Sequence, residues 1–187
     1  YRRERDSVAR LRARGAQVVQ ADFSDEAGIH AFITAIRQLT GSLRAIVHNA
    51  SQWRADTPGQ EADAFRQLFQ IHMLAPYLIN LRCADLLRYG GPADIVHIGD
   101  DVTRKGSKKH IAYAASKAGV IGMTASLAKD RQVLAKGVTV NAVAPGPVWT
   151  PLQTAGGQPT EDLPEFGQST PTGRPGRWTC PTGRCGC

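Results

Sequence analysis

With 187 residues, of which 42% are hydrophobic and 21% charged, the chain has the composition of one globular domain and not of a disordered or fibrous protein. No apolar run reaches the roughly 18 residues that a membrane-spanning helix needs, and Tyr1–Asp6 lacks the apolar core of a secretory signal. These features predict a cytoplasmic protein with no membrane partner.

The formal net charge of +7 at pH 7 has two interpretations. Basic residues concentrate between Arg2 and Arg14 and between Arg104 and Lys109, and such a surplus is typical of nucleic-acid binding. However, no aromatic residues interleave with these clusters, and no zinc-finger spacing accompanies them. We therefore predict solvated basic faces that attract a small anionic ligand, and no nucleic-acid partner.

The cysteines do not predict a metal site. Cys83 stands alone in a helical pattern, whereas Cys180, Cys185 and Cys187 crowd together near residue 187. A structural zinc site needs four ligands at suitable spacing, and this cluster has no fourth ligand or His nearby. We therefore expect no bound metal.

Strand-like and helix-like patterns alternate along the first 150 residues. The predicted elements are, in chain order, a strand at 15–22, a helix from about 24 to 39, a strand at 43–48, a helical region at 61–88, a strand at 93–98, a helix at 113–129 and a strand at 137–144. The Ser24 hydroxyl is expected to cap the first of these helices, and Pro76 is expected to kink the long helical region.

Strands separated by helices favour right-handed βαβ crossovers and a parallel sheet. We therefore predict an α/β fold, a doubly wound parallel sheet with flanking helices, over residues 1–150. Residues 151–187 are rich in Gly, Pro and Thr and are predicted to form an irregular tail.

The sharpest chemical signal is the pair Tyr113 and Lys117. Residues four apart share one face of a helix, so the phenol and the ammonium should point into one cleft. A nearby positive charge lowers the pKa of a Tyr, which prepares it to donate a proton. The spacing alone is weak, but here it lies between a buried strand and the Val138–Gly146 segment, and that combination is specific.

These motifs resemble the short-chain dehydrogenase/reductase family over residues 1–150. The resemblance implies a Rossmann-like fold, Tyr113 as proton donor and Lys117 holding the nicotinamide ribose. It also implies an adenine site at Ala21-Asp22-Phe23, a strand end beside the cofactor at His48–Ser51, and a nicotinamide loop at Pro145–Thr150. The implied cofactor-binding residues are Asp22, Phe23, Asn49, Ala50, Ser51, Lys117, Pro145, Gly146 and Val148.

Three departures narrow the resemblance. Asp100 stands where the family usually has a Ser, His72 stands at the position of the usual Asn, and Ser51 ends the strand motif in place of a Gly, with Trp53 two residues later. In these features the sequence resembles pteridine reductases, and among them the bacterial dihydromonapterin reductases. His72 either replaces the Asn that holds a proton-relay water or only fills a place in the helix.

The departures have a chemical logic. An ionised carboxylate accepts hydrogen bonds from the N–H groups of a pterin edge, and an indole can stack on a pterin face. Asp100 should also keep the Tyr113 phenol protonated, in opposition to Lys117. We therefore predict a catalytic group of Asp100, Tyr113 and Lys117, and substrate contacts by Ser51, Trp53, Asp100 and Tyr113.

The cofactor preference depends on the first residues. In this fold the end of the second strand faces the adenine ribose, where a basic residue accommodates the 2′-phosphate. The resemblance places Arg2, with Arg3 next to it, at this strand end, which predicts NADPH. The alternative is that Arg2 belongs only to a solvated helix start.

Other interpretations stay open: a reductase of another carbonyl or imine substrate, a catalytically silent relative, or a nucleic-acid binder. His48 and His97 are predicted to be structural residues. The resemblance also places a glycine-rich first strand before Tyr1 and a last helix and strand after the tail, so we expect a fragment with an exposed sheet edge. It further implies a homo-oligomer formed through the helices containing Phe65–Leu87 and Tyr113–Lys129.

Overall fold

The computed structural model describes residues 1–88, 92–130, 134 and 137–146. The predicted tail at 151–187, its three cysteines and Val148 lie outside the described residues.

Three parallel strands form the sheet of the described chain. They are β1 (Ala45–His48), β2 (Ala93–Ile98) and β3 (Val138–Val143), hydrogen-bonded in the order β1-β2-β3. The register sets His48 of β1 opposite His97 of β2. The predicted parallel sheet with flanking helices is confirmed, as are three of the four predicted strands.

Helices connect and flank these strands. They are α1 (Asp6–Ala13), α2 (Glu26–Leu39), α3 (Glu61–Phe69), α4 (Ala75–Arg82), α5 (Ala84–Arg88), α6 (Val102–Lys105) and α7 (Ile111–Leu127). The predicted helices at 24–39 and 113–129 thus correspond to α2 and α7. Among the described residues, α2 packs on α4, and α7 packs on both α3 and β3.

The cap of α2 differs from the prediction. The Asp25 carboxylate, and not the Ser24 hydroxyl, accepts the orphan N–H group of Gly28 at 2.7 Å. Asp25 has the extended backbone of an N-cap residue, whereas Ser24 donates its own N–H to the Asp22 carboxylate at 3.0 Å. A carboxylate at this position also interacts favourably with the positive end of the helix dipole.

The long helical region is interrupted before Pro76. Residues Gln70–Leu74 form a π-helical turn between α3 and α4, and Pro76 lies at the start of α4. The backbone is helical on both sides of this junction, so Pro76 lacks an N–H group that a continuing helix would use. The irregularity expected at Pro76 therefore takes the form of a π turn directly before it. Such turns are frequent at functional sites because they shift the side chains on one face.

The strand predicted at 15–22 is wrong. The segment is extended, but its strand-like hydrogen bonds reach a single residue: the Tyr1 amine donates to Val19 O at 3.0 Å and Ala21 N donates to Tyr1 O at 2.9 Å. A ladder needs successive pairs along a neighbouring strand. Val18 and Leu43, of which Leu43 lies just before β1, line one cavity of about 570 Å³. This cavity, and not a ladder of hydrogen bonds, lies between the segment and the described sheet.

The core consists of three apolar clusters. The first joins the sheet to α7 and the second joins α2 to α4, around Ile29 and Ile79. The third packs α3 against the start of α7 and includes Tyr113, so a residue of the predicted site is itself part of the core. None of the described helices has the length and apolar character needed to cross a bilayer.

Candidate active site

The site is built where the three strands end. Because parallel strands point the same way, the residues that follow β1, β2 and β3 meet at one edge of the sheet: Asn49–Ser51, Gly99-Asp100 and Ala144–Gly146. Gly99 N donates to Val143 O at 2.7 Å, and Asp101 N donates to Pro145 O at 3.0 Å. A Cβ at Gly99 would lie 3.3 Å from Val143 O, so this crossing is tight enough to favour glycine.

The three predicted catalytic residues come together. The Tyr113 hydroxyl donates to Asp100 Oδ2 at 2.7 Å, and Asp100 Oδ1 accepts the N–H of Val102 at 2.8 Å. Lys117 Nζ donates to Ile98 O at 3.0 Å and lies 5.8 Å from the centroid of the Tyr113 ring. The spacing of four on α7 therefore brings both side chains to the end of β2.

Burial decides the electrostatics of this group. Tyr113 is only 3% exposed and Lys117 only 4%. Burial raises the pKa of Tyr113 well above its ordinary value, and the charge and hydrogen bond of Asp100 raise it further. Burial lowers the pKa of Lys117, which the charge of Asp100 opposes. The expected lowering of the phenol pKa by Lys117 is thus wrong, and the expected opposition by Asp100 is present, so the phenol stays protonated.

Trp53 lies beside the phenol. Its ring centroid is 4.5 Å from that of Tyr113, edge to face, and 4.1 Å from that of His110. The indole is 37% exposed, so it is partly open to solvent. Trp53 and the Asp100–Tyr113 pair therefore present an aromatic surface next to a proton donor and a hydrogen-bond acceptor.

Asp56 holds the loop of Trp53 against α7, which the sequence did not predict. Its two carboxylate oxygens accept the N–H groups of Ile111 and Ala112 at 2.6 and 3.3 Å, and its own N–H donates to Lys109 O at 2.8 Å. Because Asp56 lies 55 residues before the helix that it caps, no local spacing in the sequence indicates this contact. The carboxylate satisfies orphan amides of α7 and places the loop near Tyr113.

His72 connects two further site residues. It lies in the π turn and is 3% exposed. Its Nε2 is 3.0 Å from Ser51 Oγ and 3.1 Å from Gln52 N, and its Nδ1 is 2.8 Å from Ser116 Oγ. The structure therefore joins the end of β1 to the helix of Tyr113 through this imidazole. Ser116 was not among the predicted site residues, although it stands inside the Tyr113–Lys117 turn.

The predicted cofactor residues that follow β1 and β3 lie at this edge of the sheet. Asn49, Ala50, Ser51 and Gly146 are exposed, and Pro145 is half-buried. Phe23 differs in that its ring packs edge-on against Phe32 with centroids 5.2 Å apart, within the cluster between α2 and α4.

Arg2 and Arg3 lie close to Asp22. The hydrogen bond from Ser24 N is the largest cause that lowers the pKa of Asp22, and the charges of both arginines add to it. The bonds of Tyr1 to Val19 and Ala21 bring the two arginines to this place. A basic and an acidic group thus share the surface where the resemblance implies the adenine ribose.

No group of three or more His, Cys, Asp or Glu side chains able to hold a metal ion occurs within the described ranges. Cys83 is a buried free thiol, and burial raises its pKa. The cysteine cluster of the tail lies outside these ranges.

The fold and the site define a class, the parallel α/β proteins with a tyrosine–lysine pair at the carboxyl edge of the sheet. The family model described as short chain dehydrogenase matches residues 2–160. The chain therefore belongs to the short-chain dehydrogenase/reductase family.

Curated relatives narrow the similarity. Dihydromonapterin reductase of Enterobacter sp. (strain 638) is 48% identical over 148 residues, which cover 78% of this chain and 60% of that protein. Dihydromonapterin reductase of Escherichia coli (strain K12) is 47% identical over the same length and shares of the two chains. The chain thus spans 60% of the length of these relatives.

Solved structures agree with the fold. A Pseudomonas aeruginosa RhlG/NADP active-site complex matches with a TM-score of 0.79 and 27% identity, over 92% of this chain and 69% of that one. FolM alternative dihydrofolate reductase 1 from Brucella canis, complexed with NADP, matches with a TM-score of 0.74 and 26% identity, over 90% of this chain and 66% of that one.

Proposed function

We propose that this protein catalyses the NADPH-dependent reduction of a dihydropterin, of the dihydromonapterin or dihydrofolate type, to its tetrahydro form. The observation that carries the proposal is the 2.7 Å hydrogen bond from Tyr113 to Asp100, with Trp53 packed against the same phenol. This group offers an acceptor for N–H groups, an acid and an aromatic surface to one flat heterocycle. The relatives that bear a dihydromonapterin reductase name support the choice of substrate.

The side chains fit the proton half of this reaction. Reduction of a C=N bond adds a hydride to the carbon and a proton to the nitrogen, and bound NADPH supplies the hydride. Tyr113, held protonated by burial and Asp100, gives its proton to the ring nitrogen directly or through a water. A carboxylate has about four lone-pair sites, so Asp100 can accept substrate N–H groups beside Tyr113 and Val102. Trp53 covers one face of the ring.

The residues also fit the proposed cofactor. An ammonium has three N–H groups, so Lys117 can donate to ribose hydroxyls in addition to Ile98 O. The exposed strand end at Asn49 and Ala50 and the loop at Pro145 and Gly146 are open to a ligand along the same edge. Arg2 supplies a positive charge for the 2′-phosphate. The NADP complexes of the structural neighbours support this assignment.

Activity on chosen substrates tests the proposal. We expect purified protein to oxidise NADPH with 7,8-dihydromonapterin or dihydrofolate, and a Tyr113→Phe variant to lose roughly 100-fold or more of kcat. Turnover is followed by the loss of NADPH absorbance, with quantification of the tetrahydropterin. Efficient reduction of simple ketones without any turnover of dihydropterins would instead support a different carbonyl reductase, and an unchanged Tyr113→Phe variant would support a silent relative.

Cofactor selectivity tests Arg2 separately. Loss of a phosphate contact should raise KM for NADPH about 10-fold in Arg2→Ala while KM for NADH stays within about twofold. Arg10→Ala, which removes an exposed arginine of α1, is the matched control. Equal catalytic efficiency of the unmodified protein with NADH and NADPH would contradict the assignment.

Exposed apolar side chains on α3 and α7 form a candidate surface for the proposed homo-oligomer. Phe65 and Phe69 on α3 are 51% and 47% exposed, and Ile111 and Ile121 on α7 are also exposed. Large apolar side chains concentrated on neighbouring helices are typical of subunit contacts. Light scattering after size exclusion should give a dimer or larger, and a Phe65→Glu variant should shift it to monomer; a monomeric unmodified protein would refute the assembly.

A further inference from the structure

His72 makes more contacts than a residue that only fills a helix position. Both of its ring nitrogens have polar partners inside the protein, from the end of β1 on one side and from α7 on the other. Its ring also meets that of Tyr113 edge to face, with centroids 5.6 Å apart. It therefore lies between the strand-end turn and the proton donor.

The directions of these hydrogen bonds define one tautomer. Ser116 donates its hydroxyl proton to Tyr113 O at 2.7 Å, so Ser116 Oγ must accept from His72, whose Nδ1 carries the proton. Nε2 is then an acceptor, which suits the N–H of Gln52 and the hydroxyl of Ser51. His72 is thus a neutral Nδ1–H imidazole with a lone pair directed at the end of β1.

Burial keeps the imidazole in this neutral form. The pKa of His72 is lowered to about 3, first by burial and then by the charge of Lys117. Protonation would also replace the Nε2 lone pair that accepts from Gln52 N with a hydrogen, so that two N–H donors would face each other. At neutral pH, His72 is therefore an acceptor and not an acid or base.

Ser51 has one hydroxyl proton and two acceptors for it. One acceptor is His72 Nε2, at 3.0 Å. The other is the oxygen of Tyr113, whose ring centroid lies 5.6 Å from that of His72. Burial and Asp100 raise the pKa of this phenol, and a hydrogen bond from Ser51 opposes the rise. While Tyr113 is protonated and donates to Asp100, the Ser51 proton can stay with His72. When the phenol loses its proton, the Ser51 hydroxyl can turn towards the phenolate, while Gln52 N–H still occupies His72 Nε2.

We propose that His72 is a positioning residue that holds the Ser51 hydroxyl ready to stabilise the Tyr113 phenolate formed on proton transfer. This proposal rests on the proposed function, since it requires Tyr113 to be the acid. It assigns the imidazole a role through Ser51 rather than direct contact with the substrate. Only the Nε2 side of the ring contributes to it, since Nδ1 faces Ser116.

Glutamine and asparagine variants of His72 test the two ring nitrogens separately, because each side-chain amide can replace only one of them. In His72→Gln the side-chain oxygen can take the place of Nε2 and accept from Ser51 and Gln52, whereas in His72→Asn the amide nitrogen can take the place of Nδ1 and donate to Ser116. We expect His72→Asn and Ser51→Ala to lower kcat roughly 10- to 100-fold, the effect of one hydrogen bond to a charge that forms in the transition state. His72→Gln should restore most of the kcat that His72→Asn loses, and KM for NADPH should stay within about twofold in both His72 variants.

A matched control and a second readout separate positioning from folding. Ser126→Ala removes another α7 hydroxyl, which bonds Gly122 O, and should leave kcat unchanged. In ¹⁵N NMR of the labelled protein, His72 should show the Nδ1–H tautomer without titration between pH 5 and 8. If His72→Asn does not fold by circular dichroism, the exposed Ser51→Ala variant still decides the role of the hydroxyl.

The outcomes distinguish this proposal from the proposed function. If Tyr113→Phe abolishes turnover while Ser51→Ala and His72→Asn keep the unmodified kcat, the positioning role fails and the proposed function stands. An Nε2–H tautomer, or equal losses in His72→Asn and His72→Gln, would also overturn the positioning role. If Tyr113→Phe keeps full activity, the proposed function itself fails.

Discussion

Asp100 uses its two oxygens for different partners, the Tyr113 hydroxyl and the N–H of Val102. The backbone amide fixes the plane of the carboxyl group, so the second oxygen is held where the phenol proton lies. A Ser at this position would offer one donor and no charge. Under the proposed function, Asp100 is therefore suited to a substrate edge that donates hydrogen bonds rather than to a carbonyl that accepts one.

Asp100→Asn and Asp100→Ser test this preference. Both remove the charge that raises the pKa of Tyr113, and both lose an acceptor for substrate N–H groups. We expect kcat/KM for a dihydropterin to fall about 100-fold, and the ratio of ketone to dihydropterin turnover to rise in Asp100→Ser. The measurement is the steady-state rate of both variants on both substrates. An unchanged ratio in Asp100→Ser would show that Asp100 does not select the substrate.

Among the elements, α2 depends on a glycine at its third residue. A Cβ at Gly28 would collide with the carbonyl oxygen of Asp22, which is main chain and cannot rotate away. The absence of a side chain thus lets α2 begin directly beneath the Asp22 turn. This arrangement holds Asp22 at the surface that it shares with Arg2.

Gly28→Ala should therefore destabilise the protein and weaken cofactor binding together. We expect a loss of about 1–3 kcal/mol in the free energy of unfolding, the usual cost of overpacking, and a raised KM for NADPH. Gly122→Ala is the matched control in α7, where a Cβ meets nothing within 4 Å, and should stabilise by up to about 1 kcal/mol. Urea unfolding of both variants checks this, and equal stabilities would contradict the packing.

Across the whole molecule, a buried polar chain joins the sheet to two helices. His48 Nε2 donates to Asn80 Oδ1 at 2.6 Å, Asn80 Nδ2 donates to His97 Nε2 at 3.1 Å, and His97 Nδ1 donates to Thr124 Oγ1 at 2.9 Å. The rings of His48 and His97 stack 4.9 Å apart. The bond from Asn80 Nδ2 requires a neutral His97, because a protonated imidazole has no acceptor nitrogen. The structural role expected for His48 and His97 is therefore to join the sheet to α4 and α7 through these hydrogen bonds.

The buried histidines His97 and His72 predict how the stability of the protein depends on pH. The pKa of His97 is lowered to about 4 by burial and then by His48, and that of His72 to about 3. Between these values and the 6.5 of a free His, the unfolded chain binds protons that the folded protein does not. Stability is therefore complete above pH 6.5 and falls as the pH is lowered, by about 1.4 kcal/mol per pH unit for each histidine.

Urea unfolding between pH 7 and pH 4.5 measures this slope. In a His97→Gln variant, the slope of the free energy of unfolding with pH should fall by the contribution of one histidine. In His30→Gln, a change at an exposed position of α2, the slope should be unchanged. A stability that does not vary over this range would show that the histidines are not buried as neutral groups.

Local patterns were sufficient for much of this protein. Alternation of apolar segments predicted β1, β2 and β3, and the spacing of Tyr113 and Lys117 predicted a shared face of α7, because both depend on periodicities of a few residues. The match of Asp100 to a family position predicted its place beside Tyr113, which the 2.7 Å bond shows.

Only the tertiary structure decided the rest, because burial and contacts distant in sequence set the outcome. The segment at 15–22 has the composition of a strand but pairs with Tyr1 alone, and Asp56 caps a helix that begins 55 residues later. The pKa of Tyr113 rises although Lys117 is near, because burial, and then the charge and hydrogen bond of Asp100, raise it. His72 becomes an acceptor for Ser51 because a π turn inserts it between β1 and α7.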